Sequence, residues 1–485
     1  MVHHPQCASL GAVSRDRQRV LYGFNTYNWI VMIIRKPFEI YRASVLLVFV
    51  IVLSALGSTV RAGSSTSSEG GPTFFALWEK AQKGKTGKLG YHYYWDDGFR
   101  IDSPGKKLRI KMNLLINLDA GYIDAENDLD EAFSDLEGSH FELRRLRLLV
   151  AGTVSDNMLF RVQFEFAGDE FDMKDFWYGF NGVPYLGSLL IGHLKEPFSL
   201  EELTSSQSIT FMERALPTRV FALGRNVGIK IRNTGLSERL HWAGGAFLSI
   251  GDVKNEDDLF DVFDEAVGLD LTARIGGIPW YSEEDGKLLH LGISYSHLFR
   301  DDDDSDARMR LSSRPESFLT DERLVDTGLF FVEGGDVIDL ELAMQSGPFS
   351  LQGELFHAFT DADEEGDPRF WGFYLYGSFF LTGESRKYNI SRATFTPEEP
   401  QHGFRPRKGR WGAWEVAFRY SYIDLNDERI KGGKERNITL GLNIYLHRKV
   451  RLMFNYVNAR VEDRAAPKIH DDSADIFQTR FQITF

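Results

Sequence analysis

The 485-residue sequence predicts an all-β fold, a transmembrane antiparallel β-barrel of about sixteen strands. Three observations carry this. Hydrophobicity recurs with period two from about residue 88 onward. Tight turns alternate with long, charged connections. The chain closes on FQTRFQITF, where Phe477, Phe481, Ile483 and Phe485 are interleaved with Gln478, Arg480, Gln482 and Thr484.

Period two puts successive side chains on opposite faces of a strand. Phe160, Val162, Phe164 and Phe166 alternate with Arg161, Gln163 and Glu165. Val227, Ile229 and Ile231 alternate with Gly228, Lys230 and Arg232, and Trp414 to Tyr422 repeats the pattern. Comparable runs lie near 107–122, 142–155, 171–181, 186–196, 239–250, 266–275, 287–299, 336–346, 348–359, 370–382, 436–446 and 449–461. Tight turns are expected at Ser155-Asp156-Asn157, Asn181-Gly182, Ser346-Gly347-Pro348 and His447-Arg448-Lys449. Long polar connections, expected as outer loops, fall at 252–265, 300–323, 360–368 and 383–410. This asymmetry is that of a membrane barrel, with short periplasmic turns and long outer loops. A soluble sandwich also alternates, but its outer face rarely carries so many aromatics. No 20–50-residue repeat suggests a solenoid. Bacterial barrels take an even number of strands, hence sixteen. Closure pairs the last strand with the first and leaves no edge, and Phe485 belongs at the interfacial aromatic girdle.

The leader reads as a secretory signal. Arg35, Lys36 and Arg42 precede an apolar run from Val45 to Leu56, and Val60-Arg61-Ala62 supplies a cleavage site. Residues 1–62 are therefore read as extension plus signal, with Met32 as an alternative start. Residues 63–87 form a short periplasmic or flexible lead-in, and 88–485 the barrel. No run of about 20 apolar residues provides a spanning helix. Removing 1–62 leaves 49 basic and 68 acidic residues, a net charge of −19. So acidic a chain is a poor nucleic-acid ligand. The single cysteine, Cys7, lies in the leader, so the mature chain has no disulfide or thiol chemistry.

Several ordered phrases carry a family resemblance. They are RRLRLLVAGTV (144–154), GHLKEPFSLEELTSSQSITFMER (192–214), GRNVGIKI (224–231), NITLGLNIYLHRKVRLMFNYV (437–457) and the closing FQTRFQITF. The sequence resembles the phosphate-selective porins of the O and P type from about residue 90 to the end. The resemblance implies a sixteen-stranded outer-membrane barrel, a homotrimer, with a long loop folded into the lumen. A C-terminal aromatic on an alternating strand also resembles the signal by which the barrel-assembly machinery recognises its clients, here Phe485.

The residues place that loop at 198–224, where the period of two breaks. Ser205 and Ser206 can hydrogen-bond solutes, and Arg214, Arg219 and Arg225 offer planar forks suited to phosphate or carboxylate. Fixed charge at a constriction sets ion selectivity. By alternation Arg145 and Arg147 share the lumen face, as do Lys230 and Arg232, with Arg161 beside them. Arginine on the lipid side at mid-bilayer would cost roughly 2–4 kcal/mol. These five form either a basic track for anions or half of a salt-bridged lumen, with Glu165 and Glu415 supplying the other half. One departure is notable. Phosphate-binding members carry a lysine three residues before the Ser-Ser pair, and here that position is Glu202. A carboxylate there is expected to repel phosphate, which leaves Arg214 and Arg225 as the better anion contacts.

The acidic stretch Asp361–Asp367 begins like a calcium loop, but Gly372 stands where the bidentate glutamate is needed. A solvated outer face is expected, with weak divalent bridging to lipopolysaccharide as the alternative. GxSxG, HExxH, Walker A and CxxC motifs are absent. The expectation is a porin in the bacterial outer membrane that passes small solutes and ions, with no cofactor, surrounded by lipid and lipopolysaccharide. The rivals are a plugged structural or adhesive barrel acting through its acidic loops, and a barrel-embedded lipase.

Overall fold

The computed structural model describes residues 85–86, 90–134, 136–168, 171–250, 266–300, 307–362 and 364–485. The expected signal, its cleavage site, most of the lead-in and the loop 252–265 lie outside the described residues.

Sixteen strands close into one antiparallel barrel. They are β1 (Leu108–Ala125), β2 (Gly138–Val154), β3 (Met158–Glu165), β4 (Asp172–Val183), β5 (Gly187–Lys195), β6 (Arg225–Gly235), β7 (Leu240–Ile250) and β8 (Ala266–Ser282). There follow β9 (Lys287–Arg300), β10 (Gly334–Ser346), β11 (Phe349–Asp361), β12 (Arg369–Phe380), β13 (Ala413–Asp427), β14 (Ile430–His447), β15 (Val450–Arg464) and β16 (Ile469–Thr484). Each period-two run of the sequence corresponds to one of them. Neighbours in sequence pair throughout, and β16 pairs with β1 from Thr484↔Leu115 to Ala474↔Ala125. Phe485 completes the seam, its N–H donating to the Leu114 carbonyl at 2.8 Å. A closed ring satisfies every strand edge, the condition for crossing a bilayer without helices.

The side chains sort as the alternation requires. Ile229, Leu271, Ile275, Leu291, Ile293, Phe418, Leu440 and Phe477 are exposed on the outer face. Arg274, Glu341, Glu354, Arg419, Asn443 and Arg480 are buried inside. The barrel is thus inverted relative to a soluble protein, apolar outside and polar within.

Turns 155–157, 184–186, 236–239, 283–286, 347–348 and 448–449 lie at the end that also holds Phe485 and the start of β1. This is the periplasmic end. Two expectations need correction. Asn181-Gly182 is not the turn: β4 runs on to Val183 through a bulge with Gly182 at φ 73°, and the turn follows at 184–186. The connection 383–410 is not an outer loop. Twelve strands precede it, so the chain has returned to its starting end, and 381–412 is a long connection on the periplasmic side. Length and polarity had suggested an outer loop, but strand parity decides. Conversely 428–429 and 465–468 are short connections at the outer end.

A hairpin precedes the barrel. His92–Trp95 pairs with Phe99–Asp102, which pairs in turn with the first residues of β1. Asp97 at its tip contacts Lys111 (2.9 Å), Lys449 (2.8 Å) and Arg448 (3.2 Å), tying the hairpin to the β14–β15 turn. Partial burial pushes the Asp97 carboxyl up, but the two lysines outweigh it and hold it at about 2.

Candidate permeation site

Three connections fold inward. The first, 196–224, begins with a single helical turn, α1 (Leu200–Leu203). Glu354 of β11 anchors it, accepting from the Ser199 hydroxyl (2.5 Å) and from the backbone N–H groups of Leu200 (3.1 Å) and Glu201 (2.7 Å). One carboxylate thus satisfies donors that a helix start leaves open. A second short helix, α2 (Leu216–Phe221), begins with Pro217 in its first turn. Phe198, Phe211, Leu216 and Phe221 pack against Phe356, Phe370 and Tyr374 of the wall.

Arg214 closes this loop on itself. Its guanidinium donates to the carbonyls of Glu201 (3.2 Å), Glu202 (3.1 Å) and Thr204 (3.1 Å), capping the end of α1. It also lies 3.1 Å from the Glu202 carboxylate, whose other oxygen is 2.7 Å from Lys195 at the end of β5. Burial pushes the Glu202 carboxyl up, but Arg214 and Lys195 outweigh it and bring it down to about 2. The expected repulsion at Glu202 is therefore neutralised by two cations. A carboxyl lowered on folding contributes stability that is complete above about pH 4.5 and lost as pH falls through about 2. The loop is expected to hold its place from pH 7 to about 4 and to loosen below about 3, seen as rising open-channel noise in single-channel records. Noise that rises already at pH 5 would contradict this.

Glu213 is the second fastening. It accepts from Arg144 (3.0 and 3.2 Å), Arg145 (3.4 Å) and Arg480 (2.6 Å). Arg480 also makes a two-pronged contact to Asp119 (2.7 and 2.6 Å), and Arg451 and Asn443 reach the carbonyls of Ile209 (3.0 Å) and Thr210 (2.8 Å). The second inward connection, from the β9–β10 loop, brings Glu316 against Arg419, Ser421 and Thr439 and places Phe318 under the guanidinium groups of Arg144, Arg219 and Arg314. The third is the periplasmic connection 381–412, whose Arg386 donates to the Tyr376 hydroxyl (2.8 Å) and Gln352 (3.3 Å).

The expected site residues divide accordingly. Ser205 is exposed, and Ser206 is buried and accepts from Arg147 at 3.4 Å. Arg214 is occupied as described. Arg219 is open to the water of the lumen although protein surrounds it, and that enclosure lowers its pKa to about 10, so it stays charged at neutral pH. Arg225 (3.1 Å) and Arg161 (2.8 Å) share Asp175. Arg145 is buried against Glu213, Arg147 pairs with Glu165, and Lys230 donates to the Lys195 carbonyl. Arg232 is half-buried with no carboxylate partner among the described residues. Arg214 and Arg225, expected to be the best anion contacts, are thus both engaged by carboxylates.

Sequence reasoning missed Arg144. Strict alternation turns it away from the lumen, but the pairing slips between Asn117 and Leu118, opposite Arg145 and Leu143, and the bulge turns Arg144 inward as well. It also missed Lys195, Glu213 and Glu354. Lys195 stands in the quoted phrase GHLKEP, where its place at the strand end was the available signal.

The model of the family described as "Phosphate-selective porin O and P" matches residues 110–485. The chain belongs to this family. It is an outer-membrane channel of bacteria, a porin rather than an enzyme by family and fold. This porin is 27% identical over 371 residues to Porin O of Pseudomonas aeruginosa, a match covering 70% of this chain and 81% of that protein. It is 29% identical over 324 residues to an uncharacterised protein of Caulobacter vibrioides, covering 66% and 62% respectively. Among solved structures, an anion-selective porin from Comamonas acidovorans aligns with a TM-score of 0.48 at 14% identity, covering 78% of this porin and all of that chain.

Proposed function

We propose that small anions, inorganic phosphate among them, cross this porin along the inner wall of β2–β6. The supporting observation is where the inner face stays uncovered. On β10–β16 the inward residues, from Asp339 and Glu341 through Arg419 and Asn443 to Arg480 and Gln482, are buried beneath the inward connections. On β2–β6, Arg147, Leu149, Ala151, Thr153, Arg161, Trp177 and Arg232 remain partly exposed. The uncovered wall is basic: Arg147, Arg161, Arg225 and Arg232 are partly exposed there, with Lys230, Glu165 and Asp175 buried behind them. Ser205 and Arg219 on the 198–224 loop face the same water, with Ser206 buried behind them against Arg147, so that loop is the constriction. Glu202, neutralised by Lys195 and Arg214, shapes it without repelling anions. Such a passage discriminates by fixed charge and bore, not by chemistry.

In the membrane the exposed aromatic and aliphatic outer face meets lipid and, at the outer leaflet, lipopolysaccharide. The protein assembles as a homotrimer, with Phe485 marking it for the barrel-assembly machinery. The deciding test is the reversal potential of the purified, reconstituted protein across a potassium chloride gradient, repeated with phosphate. Anion selectivity with block by phosphate is expected. Cation selectivity would mean that Glu165 and Asp175 dominate the path. An absence of conductance would favour the plugged-barrel reading, which the covered faces of β10–β16 would equally suit.

A further inference from the structure

The periplasmic connection 381–412 carries a hairpin, Tyr388–Asn389 paired with Thr394–Phe395, that stands inside the barrel. Tyr388, Ala393 and Phe395 pack with Ile278, Leu288 and Ala343 of the wall and with Leu200 of the constriction loop. The Tyr388 hydroxyl lies 2.9 Å from His290 Nδ1, and Arg274 donates to the Ala393 carbonyl at 3.4 Å. The hairpin is therefore fixed. At its tip Ser391 and Arg392 are exposed, and Arg392 has no carboxylate partner among the described residues.

Arg392 lies within electrostatic reach of Arg161 and of Arg232. These two belong to the same level of the barrel. Arg161 follows the 155–157 turn by four residues, and Arg232 precedes the 236–239 turn by as many. Lys230 and Arg225 stand on the same strand as Arg232. Against these five cations the nearby wall sets Asp175, which Arg161 and Arg225 already share, and Glu196 beside Lys230, neither of them paired with Arg232 or Arg392. Like charges gathered from three separate elements repel one another, and an oxyanion accepting from their forks relieves that repulsion.

We infer that Arg161, Arg232 and Arg392 form a second anion-holding site, in the periplasmic half of the passage, that takes phosphate or another small oxyanion. Arg392 is its specificity-determining residue and is supplied by the periplasmic hairpin. The inference rests on the β2–β6 path proposed above.

The test uses the full reconstituted protein with inorganic phosphate as probe. Arg392→Glu is compared with Arg407→Glu, the same charge change at an exposed position of the same connection. Arg392→Glu is expected to raise the phosphate concentration that halves chloride conductance by about tenfold and to shift the reversal potential toward cations. Arg407→Glu is expected to do neither. If Arg392→Glu assembles poorly, Arg392→Gln carries the same comparison with about a threefold change. Wild-type block in either Arg392 variant would overturn this site while leaving the β2–β6 path intact. Cation selectivity of the unaltered protein would overturn both.

Discussion

Replacing Glu213 with alanine is expected to free the constriction loop, raising single-channel conductance and open-channel noise at neutral pH. Glu213 is buried and accepts from Arg144, Arg145 and Arg480 together. Burial pushes its carboxyl up, but the three guanidinium groups hold it well below the usual carboxylate range. Removing it leaves three cations crowded in a low-dielectric space, and Asp119 compensates only Arg480. Deleting one partner of a buried ion pair costs about 3–5 kcal/mol, because the remaining charge stays desolvated. The wall is held by the strand ladder, so the loop should yield first. Thermal unfolding of the barrel, followed by the heat-dependent shift of its electrophoretic band, is expected to change less than the channel noise. Unaltered conductance and noise in Glu213→Ala would show that other anchors, such as Glu354 at α1, suffice to hold the loop.

Shortening the periplasmic connection is expected to have an effect of similar size by a different route. Replacing residues 386–398 with a brief Gly-Ser link removes the lumen hairpin, its packing on Ile278, Leu288 and Ala343, and the Arg386 contacts to Tyr376 and Gln352. The inner-face positions it covers, Ile278, Leu288, Ala343, Gln352 and Tyr376, then meet water. Conductance should rise about two- to threefold, since current scales with the open cross-section. Anion preference should fall at the same time, because Arg392 leaves with the segment. Shortening that leaves conductance unchanged would place the hairpin outside the ion path.

The strands were legible because the pleat is local. A period of two fixes which face each side chain takes, and lipid on one side with polar contents on the other makes that period strong. The runs around Phe160–Phe166, Trp414–Tyr422 and Phe477–Phe485 needed no knowledge of their neighbours. Where the reading failed, a single residue broke the count. The bulge opposite Asn117 turned Arg144 inward, and Gly182 continued a strand that its sequence suggested would end. The 381–412 connection was misplaced because its composition is that of an outer loop. Only counting strands to the twelfth assigns it to the periplasmic side.

The sequence by itself thus determined the barrel, its sixteen strands, the inward facing of Arg145, Arg147, Arg161 and Arg232, and the loop that leaves the wall after β5. It did not determine which arginines are free. Arg214 and Arg225 looked available and are taken by Glu202 and Asp175, while Glu202 looked repulsive and is neutralised by Lys195 and Arg214. Arg232 and Arg392 keep no carboxylate partner among the described residues, and nothing local distinguishes them from the others. The physical reason is distance along the chain. Facing is set by adjacent residues, whereas charge pairing across a lumen is set by ring closure and by loops that enter from both ends, bringing together groups as far apart in sequence as Asp119 and Arg480.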